Sequence, residues 1–181
     1  MNKLNGMRSF FCLLFAITVC SCQSNNSKDI QRIVDKWMER KIIIPSGNII
    51  YKTMGKDTVC TDLWEKTFKI FTYVDSVGCT SCRLGLPKWK NLIDSCKIQK
   101  WDISFLFVVH SNDYEEFEDA VRYFEFDYPV IYDYANAFEK HNRFPPEPYR
   151  TFLLDKDNKV QLIGSPIENP NLWELYKRVI T

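Results

Sequence analysis

The stretch Phe68-Lys69-Ile70-Phe71-Thr72-Tyr73-Val74-Asp75-Ser76-Val77-Gly78-Cys79-Thr80-Ser81-Cys82-Arg83-Leu84-Gly85-Leu86-Pro87 decides how this chain is read. From Phe68 to Val74 every residue but Lys69 is aromatic, apolar or β-branched, the composition of a buried strand. A short loop follows, and Cys79-Thr80-Ser81-Cys82 leads into a helix expected to run through about Ser95. A C-x-x-C pair at a strand-to-helix junction sets its first sulfur beside unpartnered backbone N–H groups and the positive end of the helix dipole. Both favour the thiolate. Cys79 is therefore the expected nucleophile. Cys82, one helical turn on, is within reach to close a Cys79–Cys82 disulfide and release a mixed-disulfide intermediate. Structural zinc sites share this spacing, but a closed site needs four ligands and no second C-x-x-C or H-x-x-x-H accompanies the first. Neither a metal nor another cofactor is expected.

Working outward, Ile103 to Val109 reads as a second strand, and Asp113-Tyr114-Glu115-Glu116 opens a helix whose apolar face carries Phe117, Ala120, Val121 and Phe124. Pro129 to Tyr132 reads as a third strand and Ala135 to His141 as a short helix. After the turn Phe144-Pro145-Pro146-Glu147-Pro148, Thr151 to Leu154 and Lys159 to Ile163 form a hairpin around Asp155-Lys156-Asp157-Asn158. Asn171 to Ile180 closes the chain as a helix. This order is α/β and predicts a central mixed sheet flanked by helices on both faces. Upstream, Asp29 to Arg40 places Ile30, Ile33, Val34 and Trp37 on one helical face. Ile42 to Ile44, Pro45 to Asn48 and Ile49 to Tyr51 read as strand, turn and strand, and Gly55-Lys56-Asp57 turns the chain toward Cys60. Residues 29–66 are read as an N-terminal extension, helix plus β-hairpin, packed on a domain spanning 67–181.

From about residue 66 to 180 the chain resembles the thioredoxin-like superfamily, in particular exported thiol-disulfide oxidoreductases related to cytochrome-maturation and peroxiredoxin-like proteins. The resemblance rests on the strand before Cys79-x-x-Cys82, on Arg83 and Pro87 after it, on Tyr128-Pro129-Val130-Ile131-Tyr132-Asp133, and on Thr151-Phe152-Leu153-Leu154-Asp155-Lys156-Asp157-Asn158-Lys159-Val160. The run Tyr73 to Cys82 also resembles that of Bacteroidetes lipoproteins. The resemblance implies a thioredoxin-like fold, Cys79 and Cys82 as the catalytic pair, and a substrate-binding surface at Pro148, Tyr149 and Arg150. Its implied partners are protein thiols or disulfides and an upstream redox protein. Three positions depart from the pattern. Tyr73 stands where an acidic or amide residue often lies, Gly78 where an aromatic precedes the nucleophile, and Tyr149 where the cis-proline would fall. Pro148 is one residue early, so either the loop carries an extra residue or the cis-proline is missing.

At the N-terminus, Lys3 and Arg8 precede an apolar stretch from Phe10 to Val19, and a polar run begins at Gln23. This is the pattern of an export signal, too short to be a permanent span, which needs about 20 apolar residues. Val19-Cys20-Ser21-Cys22 resembles a bacterial lipobox, with Cys22 the lipidated residue, because the small Ser21 precedes it; an ordinary cleaved signal is the alternative. Residues 1–21 are read as the signal and 22–28 as a tether. Removing 1–21 leaves 160 residues and takes the formal charge from +1 to −1. The expected location is the cell envelope, periplasmic or outer-membrane-associated, with the chain bound to the membrane through lipid. A charge so close to zero gives no electrostatic case for nucleic acid. Apolar residues at 45% and charged residues at 26% fit one globular domain and exclude disordered, collagen-like and coiled-coil classes.

The remaining candidates have plain readings. Cys60 and Cys96 either form a second bridge or stay free thiols. His110 and His141 read as solvated or hydrogen-bonded bystanders. A copper-chaperone reading would need a histidine brought to the cysteines. A peroxidase reading fails because Ser76 and Thr72 occupy the threonine and proline positions of P-x-x-x-T-x-x-C. The five tryptophans read as packing anchors. A non-catalytic binding module, with a structural Cys79–Cys82 disulfide and a partner seated at Tyr149, is the alternative to the oxidoreductase.

Overall fold

The computed structural model describes residues 27–47, 49–60, 62–75 and 84–181. They fall into two units, Met1–Trp37 and Met38–Thr181. The described part of the first is one helix, α1, over residues 27–37, with Gln31 donating to Asp35 and Arg32 paired with Asp29 along its surface. It ends three residues short of the expected Arg40, and Glu39 beyond it takes a left-handed φ of 61°.

The second unit is built on a seven-stranded sheet in the order β2-β1-β5-β4-β3-β6-β7, where β1 is Ile50–Thr53, β2 Lys56–Thr58, β3 Phe68–Val74, β4 Ile103–Val109, β5 Val130–Tyr132, β6 Thr151–Leu154 and β7 Val160–Ile163. The most apolar segments occupy the centre. β3 pairs in parallel with β4 from Phe68↔Ile103 to Val74↔Val109, and β4 with β5 from Phe107↔Val130 to Val109↔Tyr132. Strands without a solvent face read as continuous apolar runs, and β4 is buried at all seven positions. β6 runs antiparallel to β3, Lys69↔Leu154 through Thr72↔Thr151, and β7 antiparallel to β6.

Helices cover both faces, as the alternation of strand side chains requires. On one face Ile70, Val74, Phe105, Phe107 and Val109 pack with Leu86, Trp89, Ile93 and Cys96 of α2 (Leu86–Gln99), Phe117 and Val121 of α3 (Tyr114–Tyr123) and Tyr176 of α5 (Pro170–Ile180). Trp89 stands edge-on to Phe107 at 5.2 Å and to Phe105 at 6.1 Å, a geometry aromatic quadrupoles favour. On the other face Phe71 meets Phe138 of α4 (Ala137–Asn142), Phe144 and Phe152 at 5.5–6.3 Å. Full burial of each such side chain stabilises by about 1.5–3 kcal/mol. Local caps set the helix starts. Asp113 accepts from the Glu116 N–H at α3, and Asn169 accepts from Asn171 and Leu172 at α5, with Pro170 next.

The upstream segment differs from its sequence reading. Ile42 to Ile44 is not a strand, because the Asn142 side chain takes both the N–H and the C=O of Ile43, at 2.8 and 2.9 Å, in place of a strand partner. Residues 39–42 instead bond to the outer edge of β7: Glu39 donates to Val160, Val160 to Arg40 and Ile42 to Asn158. The hairpin is β1–β2, turning at Met54 and Gly55, and it joins the opposite edge through Ile50↔Tyr132. This segment therefore meets both edges of the sheet.

Candidate functional site

β3, β6 and the start of α2 converge on one cleft. Thr72, Tyr73 and Val74 of β3, Trp89 of α2, the loop residues Glu147, Pro148 and Arg150, Thr151 of β6, and Ser165, Ile167 and Glu168 after β7 enclose about 190 Å³. Two threonines at paired positions of β3 and β6 share a buried hydrogen bond, Thr72 Oγ1 to Thr151 Oγ1, 3.2 Å. Gly85 takes a φ of 63° immediately before α2. A Cβ there would sit 3.3 Å from Ile167, so both backbone and space favour glycine. Pro87 lies in the first turn of α2, where its missing N–H costs no helical hydrogen bond.

The Glu147–Pro148 peptide bond is cis, so of the two alternatives the extra residue holds: Tyr149 and Arg150 both stand between this proline and Thr151. The loop is anchored by Tyr149 N–H to Pro146 O and by Tyr73 N–H to Arg150 O, each 3.0 Å. Pro148 is exposed and lines the cleft, as does Arg150; Tyr149 is half-buried and is not among the lining residues. Arg150 donates through Nε to Pro145 O at 2.8 Å and pairs through Nη1 with Asp75, and its guanidinium lies 5.7 Å from the Tyr73 ring centre. Asp75 was missed by sequence reasoning, because nothing in the spacing links it to an arginine 75 residues away.

Tyr73 is buried at 1% exposure and donates its hydroxyl to Asn136 Oδ1 at 2.7 Å, with its ring stacked on Phe144. Burial, reinforced by Glu139, Asp75 and Asp133, pushes its pKa well above the ordinary tyrosine value. It is a neutral donor at any physiological pH and offers no carboxylate for proton transfer.

Cys79 and Cys82, and the lipidation residue Cys22, lie outside the described residues. Cys60 and Cys96 are both free thiols. Cys96 is buried on α2, and burial pushes its thiol up to about 11; Cys60 is raised in the same direction, first by burial and then by Asp62. His110 Nδ1 lies 2.9 Å from Asp133 O and His141 Nδ1 2.7 Å from Ala137 O. Among the described residues no group of three His, Cys, Asp or Glu side chains is placed to hold a metal, and no helix is long and apolar enough to cross a membrane. A second cleft, of about 220 Å³, lies beside β5 between Pro45, Ile50, Tyr132 and Phe138 and contains none of the candidate site residues.

A parallel β3-β4-β5 core continued by the antiparallel β6 and β7, with α2 following β3 and a cis-proline loop preceding β6, is the thioredoxin-like fold. Solved structures share it at low sequence identity. A thioredoxin-like protein in its oxidised form is similar with a TM-score of 0.56 and 14% identity, over 78% of this chain and 95% of that one. A candidate thiol-disulfide oxidoreductase from Bacteroides vulgatus is similar with a TM-score of 0.55 and 20% identity, over 74% and 90%. A secreted disulfide oxidoreductase from Mycobacterium tuberculosis is similar with a TM-score of 0.50 and 14% identity, over 73% and 93%. No family model and no curated protein matches the chain.

Proposed function

We propose that this protein is an extracytoplasmic thiol-disulfide oxidoreductase, tethered to the membrane by lipid on Cys22 and working through Cys79 and Cys82. The observation that supports it most is one of order along the chain: in a thioredoxin-like fold, the C-x-x-C falls in the eight residues that join Asp75 after β3 to Leu84 before α2. The β3 end of that connection borders the cleft that cis-Pro148 also lines. The Bacteroides vulgatus and Mycobacterium tuberculosis structures carry thiol-disulfide or disulfide oxidoreductase descriptions, and the latter is described as secreted, in keeping with the export signal read in residues 1–21.

The reaction follows from thiol chemistry. The Cys79 thiolate attacks one sulfur of a substrate disulfide, forming a mixed disulfide and expelling the other sulfur as a thiolate. Cys82, once deprotonated, attacks Cys79, which releases the second substrate thiolate and closes Cys79–Cys82. Two electrons pass to the substrate, and the two thiolates take up protons. An upstream dithiol protein restores the reduced pair, and the same steps in reverse oxidise a substrate.

Cys82→Ala in an envelope fraction tests this: substrates should accumulate as dithiothreitol-sensitive adducts on Cys79, and none should form when Cys79→Ala is added. An absence of adducts, together with a Cys79–Cys82 potential below about −300 mV, would instead mark a structural disulfide. The anchor is tested by palmitate labelling, lost in Cys22→Ala.

A further inference from the structure

One guanidinium joins two segments that meet at the cleft. Arg150 Nε holds the Pro145 carbonyl, within the loop that carries Pro148, while Nη1 pairs with Asp75 directly after β3. The two charged side chains are 15% and 18% exposed, and the Tyr73 ring backs the guanidinium. Two backbone bonds, Tyr149 N–H to Pro146 O and Tyr73 N–H to Arg150 O, also hold the loop between Pro146 and Thr151. The arginine fork imposes direction as well as charge, which a lysine ammonium would not.

We propose that Arg150, acting through Asp75 and the Pro145 carbonyl, is a positioning residue for thiol-disulfide exchange with polypeptides, fixing the cis-proline loop against the end of β3 so that a seated substrate meets the cysteine pair. It takes no part in the electron transfer. This rests on the oxidoreductase reading and adds to it the residue that sets substrate placement. The extra residue in the loop is the reason such a clamp is needed: with both Tyr149 and Arg150 between Pro148 and Thr151, strand pairing at Thr72↔Thr151 alone does not fix where the proline lies.

The test compares two substrates on the full chain. Insulin must dock on the loop to be reduced, whereas iodoacetamide alkylates the Cys79 thiolate without docking. In Arg150→Met the KM for insulin, with dithiothreitol as reductant, should rise about 10- to 100-fold, the cost of displacing a docked group by about 1 Å. Alkylation should stay within about twofold of wild type, since the activation read for Cys79, the terminus of the helix that follows it, does not call on Arg150. Arg150→Lys should fall between the two, and Asp75→Asn added to Arg150→Met should cost little more, because the pair acts as one unit. An unchanged insulin KM, or a parallel fall in alkylation, overturns the proposal. Hydrogen exchange supplies an arm independent of activity: Arg150→Met should speed exchange of the Tyr149 amide, and unaltered exchange also overturns it. A wild type that neither reduces insulin nor traps substrate removes the oxidoreductase reading instead, leaving the exchange measurement to decide whether Arg150 holds the loop.

Discussion

Lys69 is a charged residue at a central position of the sheet, and replacing it measures what it holds. Its side chain is 0% exposed. The ammonium donates to Lys66 O at 3.0 Å, Lys156 O at 3.2 Å and Trp64 O at 3.4 Å, pinning the turn before β3 to the turn between β6 and β7. Lys69→Met keeps most of the apolar stem and removes only the donor. Hydrogen bonds from a charged donor contribute about 1.5–3 kcal/mol each, so the two shorter ones set a gross loss of about 3–6 kcal/mol. Against this stands the desolvation of the ammonium, which lowers the Lys69 pKa despite the attraction of Asp155, Asp157 and Asp102. We expect a net destabilisation of about 2–3 kcal/mol. At roughly 2–4 °C per kcal/mol for a domain of this size, the midpoint should fall by about 4–12 °C.

The sign of the pH dependence follows from the same shift. With the folded pKa below 10.5, the unfolded state binds more protons in the interval between the two values, so this group's contribution to stability rises as pH climbs through that interval toward 10.5. Lys69→Met lacks this term, so the gap between wild type and variant should widen over that range. Urea unfolding followed by tryptophan fluorescence at a series of pH values reads both effects. A variant as stable as wild type at neutral pH would show that the three carbonyls do not depend on the ammonium, and a gap that narrows with rising pH would show that the folded state raises the Lys69 pKa instead of lowering it.

Two further outcomes are expected. The Asp102 carboxyl is held at about 2, first by the Thr67 hydroxyl, then by the Thr67 amide and Lys66. Its contribution is present above the unfolded value of 3.8 and is lost as pH falls through about 2; Asp102→Asn should flatten the acid limb of the stability profile in that window, the gain being modest because the side chain is 56% exposed. Cys96, with its thiol pushed up to about 11, should resist iodoacetamide at pH 8 in the folded protein and react in urea, as read by peptide mass; native labelling as fast as in urea would contradict its burial.

Much of this fold is legible locally. β3 and β4 are read to within their observed ends, the Asp113 cap announces α3, and the turn Asp155 to Asn158 announces the β6–β7 hairpin, because strand and helix periods and turn chemistry act over a few neighbouring residues. The C-x-x-C spacing is likewise a feature of a short run, and the thiolate chemistry proposed for it rests on that spacing. Pro148 is legible as a residue, but its bond geometry and the loop's extra residue are not.

The sequence alone determined the order of elements, a property of short runs, and it supplies the Cys79-x-x-Cys82 spacing and the export-type pattern on which the proposed function rests. Only the tertiary structure decided that residues 38–66 reach both edges of the sheet, that Ile43 is held by Asn142 instead of a strand, that Lys69 points its charge at three carbonyls, and that Arg150 meets Asp75. Each depends on groups far apart in the chain that burial brings together, where a polar atom must find a partner or lose its hydration uncompensated. No periodicity records which distant residue that partner is.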